Sequence, residues 1–254
     1  MSLNPGRTPS VSGTTRVAQW MGSSNPRERQ EATRVLVAAS AAMLALLLFA
    51  VVAWMVHSGA STGVDHEVES WFSDHQSPVG HKLATVLSFI GEQLVLVLAL
   101  LLAILFVTRQ AWYPLGGVIV ATAGAWFLDS VLKVMMHRPR PSMFADATAA
   151  MATSGHAQDW SFPSGHATLS AAFYCFLLLL VWKYLTGPGK ATLTAALVVL
   201  LLAIDTSRLA LDRHYFTDVM AGFLMGFFLA MVVWLGTTLL ELRAPAPPPD
   251  PFDG

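Results

Sequence analysis

Repeated apolar runs, each about as long as a bilayer's hydrocarbon is thick, leave this chain little choice of fold. A span needs about 20 apolar residues rising about 1.5 Å apiece. Six stretches qualify: Val35 to about Val56, about Leu83 to Val107, Trp112 to Met136, Ala167 to Leu185, Ala191 to Ile204 extending towards Leu211, and Phe216 to Leu240. Inside hydrocarbon a backbone amide finds no water, so each run is expected to close its hydrogen bonds within itself as a helix. Composition agrees: 54% of the 254 residues are hydrophobic and 12% charged, against about 25% charged in a soluble domain. The predicted fold class is all-α, a polytopic membrane protein with six transmembrane helices in one bundle. The lone Cys175 cannot form an intrachain disulfide.

Residues 1–34, rich in Ser, Thr, Gly, Pro and Arg, are expected to be a disordered cytoplasmic tail, with room for a short helix near "NPRERQEATR". The domain is then 35–240, followed by a proline-rich tail at 241–254. Arg27, Arg29 and Arg34 precede the first run, but its core is too long for a secretory signal and reads as a retained anchor. The first polar loop, "HSGASTGVDHEVESWFSDHQSPVGHK", suits the membrane interface. Cytoplasmic loops retain Lys and Arg, and an even number of spans puts both termini on one side with Arg7, Arg16, Arg109, Lys183, Lys190 and Arg243. Both termini are therefore expected in the cytoplasm, and a compact chain without an organelle signal points to a bacterial inner membrane. Lys133, Arg138, Arg140, Arg208 and Arg213 fall beside outward-facing loops, against that rule.

These exceptions cluster in "KVMMHRPRP" (Lys133 to Pro141) and "SRLALDRHYFTD" (Ser207 to Asp218), and "PSGH" (Pro163 to His166) lies at the same face. Lys133, Arg140 and Arg208 supply three cations for one anion, and guanidinium forks match phosphate oxygens. Ser164, the amides near Gly165 and the positive end of the following helix favour an anion further, while Gly165 lets it approach the backbone. His214 and Asp218 are four apart, which on a helix puts them on one face, where the carboxylate orients the imidazole. An oriented neutral His is a competent nucleophile, and His166 is then available as general acid. The scheme calls for no metal and no cofactor, because the cations already neutralise phosphoryl oxygens. A net charge of −1 gives no reason to expect nucleic acid.

Together these blocks resemble the three-part signature of the type-2 phosphatidic acid phosphatase and vanadium haloperoxidase superfamily, over roughly Leu83 to Leu240. The resemblance implies that the histidine at 214 attacks phosphorus to form a phosphohistidine, with Asp218 behind it and His166 protonating the leaving group. It assigns Lys133, Arg140, Ser164, Gly165 and Arg208 to phosphate. It also implies six transmembrane helices and metal-independent action on a lipid phosphate or pyrophosphate at the outer, extracytoplasmic face.

Other residues have plainer readings. Ser207, Pro141, Pro163, Arg138 and Arg213, with His137 and Asp212, flank the signature as secondary candidates for headgroup contact. Asp129 precedes Lys133 by four, the spacing of an intrahelical ion pair, and Asp205 is expected to balance Arg208. Glu92, inside a span, should face the bundle or be neutral. His66, His75 and His81 with Asp65 and Glu69 imitate a metal site, but their irregular spacing marks solvated loop residues. Trp112, Trp126, Trp182 and Trp234 read as lipid-facing or interfacial anchors. Gly222 and Gly226 permit close helix packing, within one chain or between two copies in a homodimer. The expected partners are a lipid phosphate substrate and membrane lipids. A phosphotransferase, a haloperoxidase and a non-enzymatic lipid-phosphate binder or transporter are the rival readings of the site.

Overall fold

A computed structural model describes residues 18–141 and 160–243 of the chain. Helix α1 (Pro26–His57) begins nine residues before the expected start of the first span at Val35. Its start has a physical reason: Pro26 is pre-set for a first helical position and Glu28 sits in the first turn, favourably placed on the helix dipole. The first polar loop is not irregular but contains a helix, α2 (Thr62–Asp74).

The second apolar run forms two helices, α3 (Pro78–Gly91) and α4 (Gln93–Thr108), broken at Glu92 with φ −128° and ψ −66°. Then come α5 (Trp112–Met136), α6 (Gly165–Val181), α7 (Gly187–Ala210) and α8 (Phe216–Arg243). No strand occurs among the described residues. Five spans, Glu28–His57, Pro78–Thr108, Trp112–Met136, Gly187–Ala210 and Phe216–Glu241, are long and apolar enough to cross a membrane. The run expected at Ala167 to Leu185 instead gives the 17-residue α6 and a short 3₁₀ turn, Trp182–Tyr184.

That short helix is the axis of the molecule. Every residue from Ala167 to Phe176 is buried. The surrounding helices carry exposed Leu44, Leu100, Trp126 and Val199, as helices facing lipid should. Small residues bring α8 directly onto α6. A Cβ on Gly222 would lie 2.5 Å from the Ser164 carbonyl oxygen, and one on Gly226 would lie 2.3 Å from that of Thr168. The glycine pair therefore serves contact within one chain.

A side chain at 226 must push the α8 and α6 backbones apart, and overpacking of this kind costs about 1–3 kcal/mol or more. Gly226→Leu is expected to lower the unfolding temperature in detergent and to reduce activity, whereas Gly116→Leu, where a Cβ meets nothing within 4 Å, should change neither.

Candidate active site

The three charged blocks meet at the N-terminal end of α6. Backbone bonds pin them together: Ser161 N–H donates to the Arg138 carbonyl at 2.7 Å, and Ser164 N–H donates to that of Asp218 at 2.9 Å. Between them opens a cavity of about 900 Å³, lined by Lys133 from α5, Arg140, Gly165 and His166 from α6, Arg208 from α7, and Arg213 and His214 from the turn before α8. Ser164 lies just behind, buried, with no hydrogen-bond partner for its hydroxyl among the described residues. It does not cap α6 through its side chain. The Nε of Arg208 is likewise buried and unpartnered.

His214 and Asp218 are not arranged as their spacing predicts. His214 stands in the turn ahead of α8, and only Asp218 is helical. The imidazole Nδ1 lies 2.8 Å from the Ser161 carbonyl, so it donates there, and Asp218 Oδ2 is 3.8 Å away. This tautomer leaves the Nε2 lone pair free of that bond. Asp218 acts one step further back. Its carboxylate accepts from Ser161 Oγ at 2.5 Å, Tyr215 N–H at 2.9 Å and Arg138 Nη1 at 2.6 Å.

Arg138, read from sequence as a headgroup contact, instead fills a half-buried position behind the cavity. It stacks 4.2 Å over the Tyr215 ring, and its second nitrogen donates to Asp65 Oδ2 at 2.7 Å. Burial works against the guanidinium charge, but Asp218 and Asp65 outweigh it and hold Arg138 above its ordinary range. Asp65 was expected to be solvated and is 1% exposed, also accepting from Thr217 N–H at 2.9 Å. The rest of the supposed metal cluster disperses: His66 pairs with Glu69 at 3.3 Å, His75 stacks on Trp71, and His81 lines the cavity. Nothing in the spacing flags Asp65, because its partners lie far along the chain. Ser161 could have been suspected from its place two residues before Pro163.

The remaining expectations divide. Lys133 pairs with Asp129 at 2.9 Å, as the four-residue spacing predicts. Asp129 also occupies the space over Gly165, 3.0 Å from where a Cβ would stand, so the open approach expected there is partly taken by a carboxylate. Asp205 is buried with one oxygen unpartnered and does not bridge to Arg208, whose Nη1 donates instead to Ser88 Oγ at 2.6 Å. Ser207 turns inward and donates to the Ile204 carbonyl. Pro141 and Pro163 are buried, and neither they nor His137 and Asp212 line the cavity, whereas Arg213 does. Trp126 is exposed, as an anchor should be, yet also borders the cavity. Glu92 does face the bundle, with Oε2 2.9 Å from His166 Nε2.

Burial pushes the His214 imidazole down to about 3, with Arg140 and Arg208 helping and Asp218 pulling the other way. An unfolded His titrates near about 6.5. Between those values the unfolded chain binds a proton that the folded chain does not. The stability held by neutral His214 is therefore complete above about 6.5 and is lost as pH falls towards about 3. The loss of unfolding free energy on acidification, read from denaturant unfolding in detergent, should accordingly be shallower in His214→Asn, by up to about 1.4 kcal/mol per pH unit. Asp65→Ala leaves Arg138 with Asp218 alone and the Thr217 amide without its acceptor, and a buried donor left unsatisfied costs about 1–3 kcal/mol. Its unfolding temperature in detergent should drop well below that of Asp65→Asn, which keeps an acceptor.

Comparison with known proteins gives the chain's family and fold. The chain is 26% identical over 191 residues to phosphatidylglycerophosphatase B of Bacillus subtilis, covering 74% of this chain and 90% of that protein. It is 32% identical over 123 residues to lipid A 1-phosphatase of Rhizobium etli, covering 46% of this chain and 49% of the relative. The crystal structure of a transmembrane PAP2 type phosphatidylglycerolphosphate phosphatase from Bacillus subtilis superimposes with a TM-score of 0.64 at 24% identity, over 76% of this chain and 93% of that one. It shares the fold. The sequence profile of the PAP2 superfamily matches residues 114–240, half of the chain and all three charged blocks, and the protein belongs to that family.

Proposed function

We propose that this protein is an integral membrane phosphatase that hydrolyses a lipid phosphomonoester or lipid pyrophosphate through a phosphohistidine on His214. The observation that carries this reading is the contact of His214 Nδ1 with the Ser161 carbonyl, 2.8 Å away. With Nδ1–H committed to the Ser161 carbonyl, Nε2 offers its lone pair beside a cavity lined by Lys133, Arg140, Arg208 and Arg213. Four cations against the carboxylates of Glu92 and Asp129 leave the cavity net positive, which draws a phosphoryl group and spreads its charge.

In the first step the Nε2–phosphorus bond forms, the bond from phosphorus to the leaving oxygen breaks, and His166 gives that oxygen a proton. In the second, water attacks phosphorus, His166 takes the water's proton, and the phosphorus–nitrogen bond breaks to release phosphate. Arg138, Asp218 and Ser161 hold His214 in place without touching the substrate. The lipid names carried by the relatives, phosphatidylglycerophosphatase and lipid A 1-phosphatase, support a lipid substrate whose chains stay in the bilayer while its headgroup enters the cavity.

For the topology, α6 is taken as a sixth crossing despite its length. Its 17 residues lie at the short end of the range of about 17–25 for membrane helices. Six crossings put both termini in the cytoplasm with the basic loop residues and place the cavity at the extracytoplasmic face of an inner membrane.

Purified protein in detergent with chelator is expected to release phosphate from at least one of phosphatidate, phosphatidylglycerophosphate, undecaprenyl pyrophosphate and lipid A. His214→Ala should reduce release to background, and His166→Ala should reduce kcat by about 10²–10⁴-fold. Release undiminished in a folded His214→Ala variant overturns the mechanism. Transfer of phosphate to a second lipid rather than to water would make the protein a phosphotransferase.

A further inference from the structure

A general acid must carry its proton before the reaction starts, and His166 stands where protons are hard to keep. Lys133 from α5, Arg208 from α7, Arg213 from the turn before α8, and Arg140 all line the same cavity. Each positive charge disfavours an imidazolium nearby. His81 from α3 and His214 add no negative charge. Of the carboxylates, Asp129 is engaged by Lys133 at 2.9 Å, and Asp218 is fully buried and bonded to Arg138.

Glu92 is placed differently. Its Oε2 lies 2.9 Å from His166 Nε2, and Ser88 Oγ, which accepts from Arg208, lies 3.1 Å from the same nitrogen. The break between α3 and α4 falls at this residue. A carboxylate in the middle of an apolar span is costly to insert, so its place at a helix break facing a histidine calls for a use.

We propose that Glu92 is the positioning residue of the leaving-group acid: it orients the His166 ring and holds the proton on Nε2 against the surrounding cations. The proposal rests on the general-acid reading of His166. In the first step the proton shared by Nε2 and Glu92 passes to the departing oxygen as the bond from phosphorus breaks, leaving His166 neutral. In the second, Nε2 takes a proton from the attacking water, and the pair with Glu92 is restored. Glu92 forms no bond to substrate.

Leaving-group dependence separates this role from a structural one. Glu92→Gln keeps the shape and a hydrogen bond but removes the charge. On an alkyl phosphate lipid, whose alkoxide leaves only when protonated, kcat/KM at neutral pH should fall about 10²-fold, within the ~10²–10⁴ that a general acid contributes. On p-nitrophenyl phosphate, whose leaving group needs little protonation, the loss should be at least about tenfold smaller. The descending, alkaline limb of the lipid profile should move to lower pH, and Glu92→Asp should restore part of both effects.

Equal losses on the two substrates, or an alkaline limb that stays in place, overturn the proposal. His166→Ala distinguishes this from failure of the underlying reading. If that variant also loses both substrates alike, the general-acid assignment itself is wrong. If it is selective and Glu92→Gln is not, only the role of Glu92 falls.

Discussion

Backbone contact between α6 and α8 is the constraint on which the rest of the site depends. Gly222 and Gly226 carry no side chain to hold the helices apart, so the N-terminal half of α8 lies against Ser164 and Thr168. In water such packing would be driven by burial of apolar area. In lipid, whose tails are as apolar as Leu, van der Waals contact between small residues must supply much of it. The Ser164–Asp218 backbone bond then sets the spacing between the helix that bears His166 and the turn that bears His214. Fixed geometry of this kind is what a nucleophile and an acid acting on one phosphorus atom require.

Around that contact, charge is arranged in two separate layers. The cavity layer, with Lys133, Arg140, Arg208 and Arg213, is positive and faces open space. The layer behind it is closed: Arg138 lies between Asp218 and Asp65, and all four of their carboxylate oxygens accept hydrogen bonds. The cavity cations border open space, whereas Arg138 is held between two carboxylates of the protein itself. Within one short block, "HRPRP", two arginines two residues apart thus have unlike environments.

That difference explains what was legible beforehand. Lys133, Arg140, His166, Arg208 and His214 could be gathered from the sequence because their chemistry is tied to short, recognisable blocks, and the structure brings them to one cavity. Spacing also identified the Lys133–Asp129 pair, since four residues on a helix is a local rule. It failed for His214 and Asp218, where the same four-residue interval starts in a turn and the Ser161 carbonyl takes the imidazole N–H. Arg138, Asp65 and Ser88 owe their roles to partners on other helices, which periodicity does not encode. Hydropathy likewise identified the lipid-facing spans better than α6. A helix shielded by its neighbours needs neither the length nor the greasiness of one that meets acyl chains, and α6 is free to carry Thr168 and Ser170 in its buried core.

The tie between α2 and α8 bears on how the protein is made. Asp65 and Thr217 are 152 residues apart. Synthesis proceeds from the N-terminus at about 5–20 residues per second, so the carboxylate leaves the ribosome many seconds before its acceptor role can be filled. Until Arg138 follows, 73 residues on, Asp65 has neither partner and must keep its charge in water. The small helix that bears it completes its bonds only when the start of α8 arrives, so a chain cut short before Thr217 would leave Asp65 with Arg138 alone.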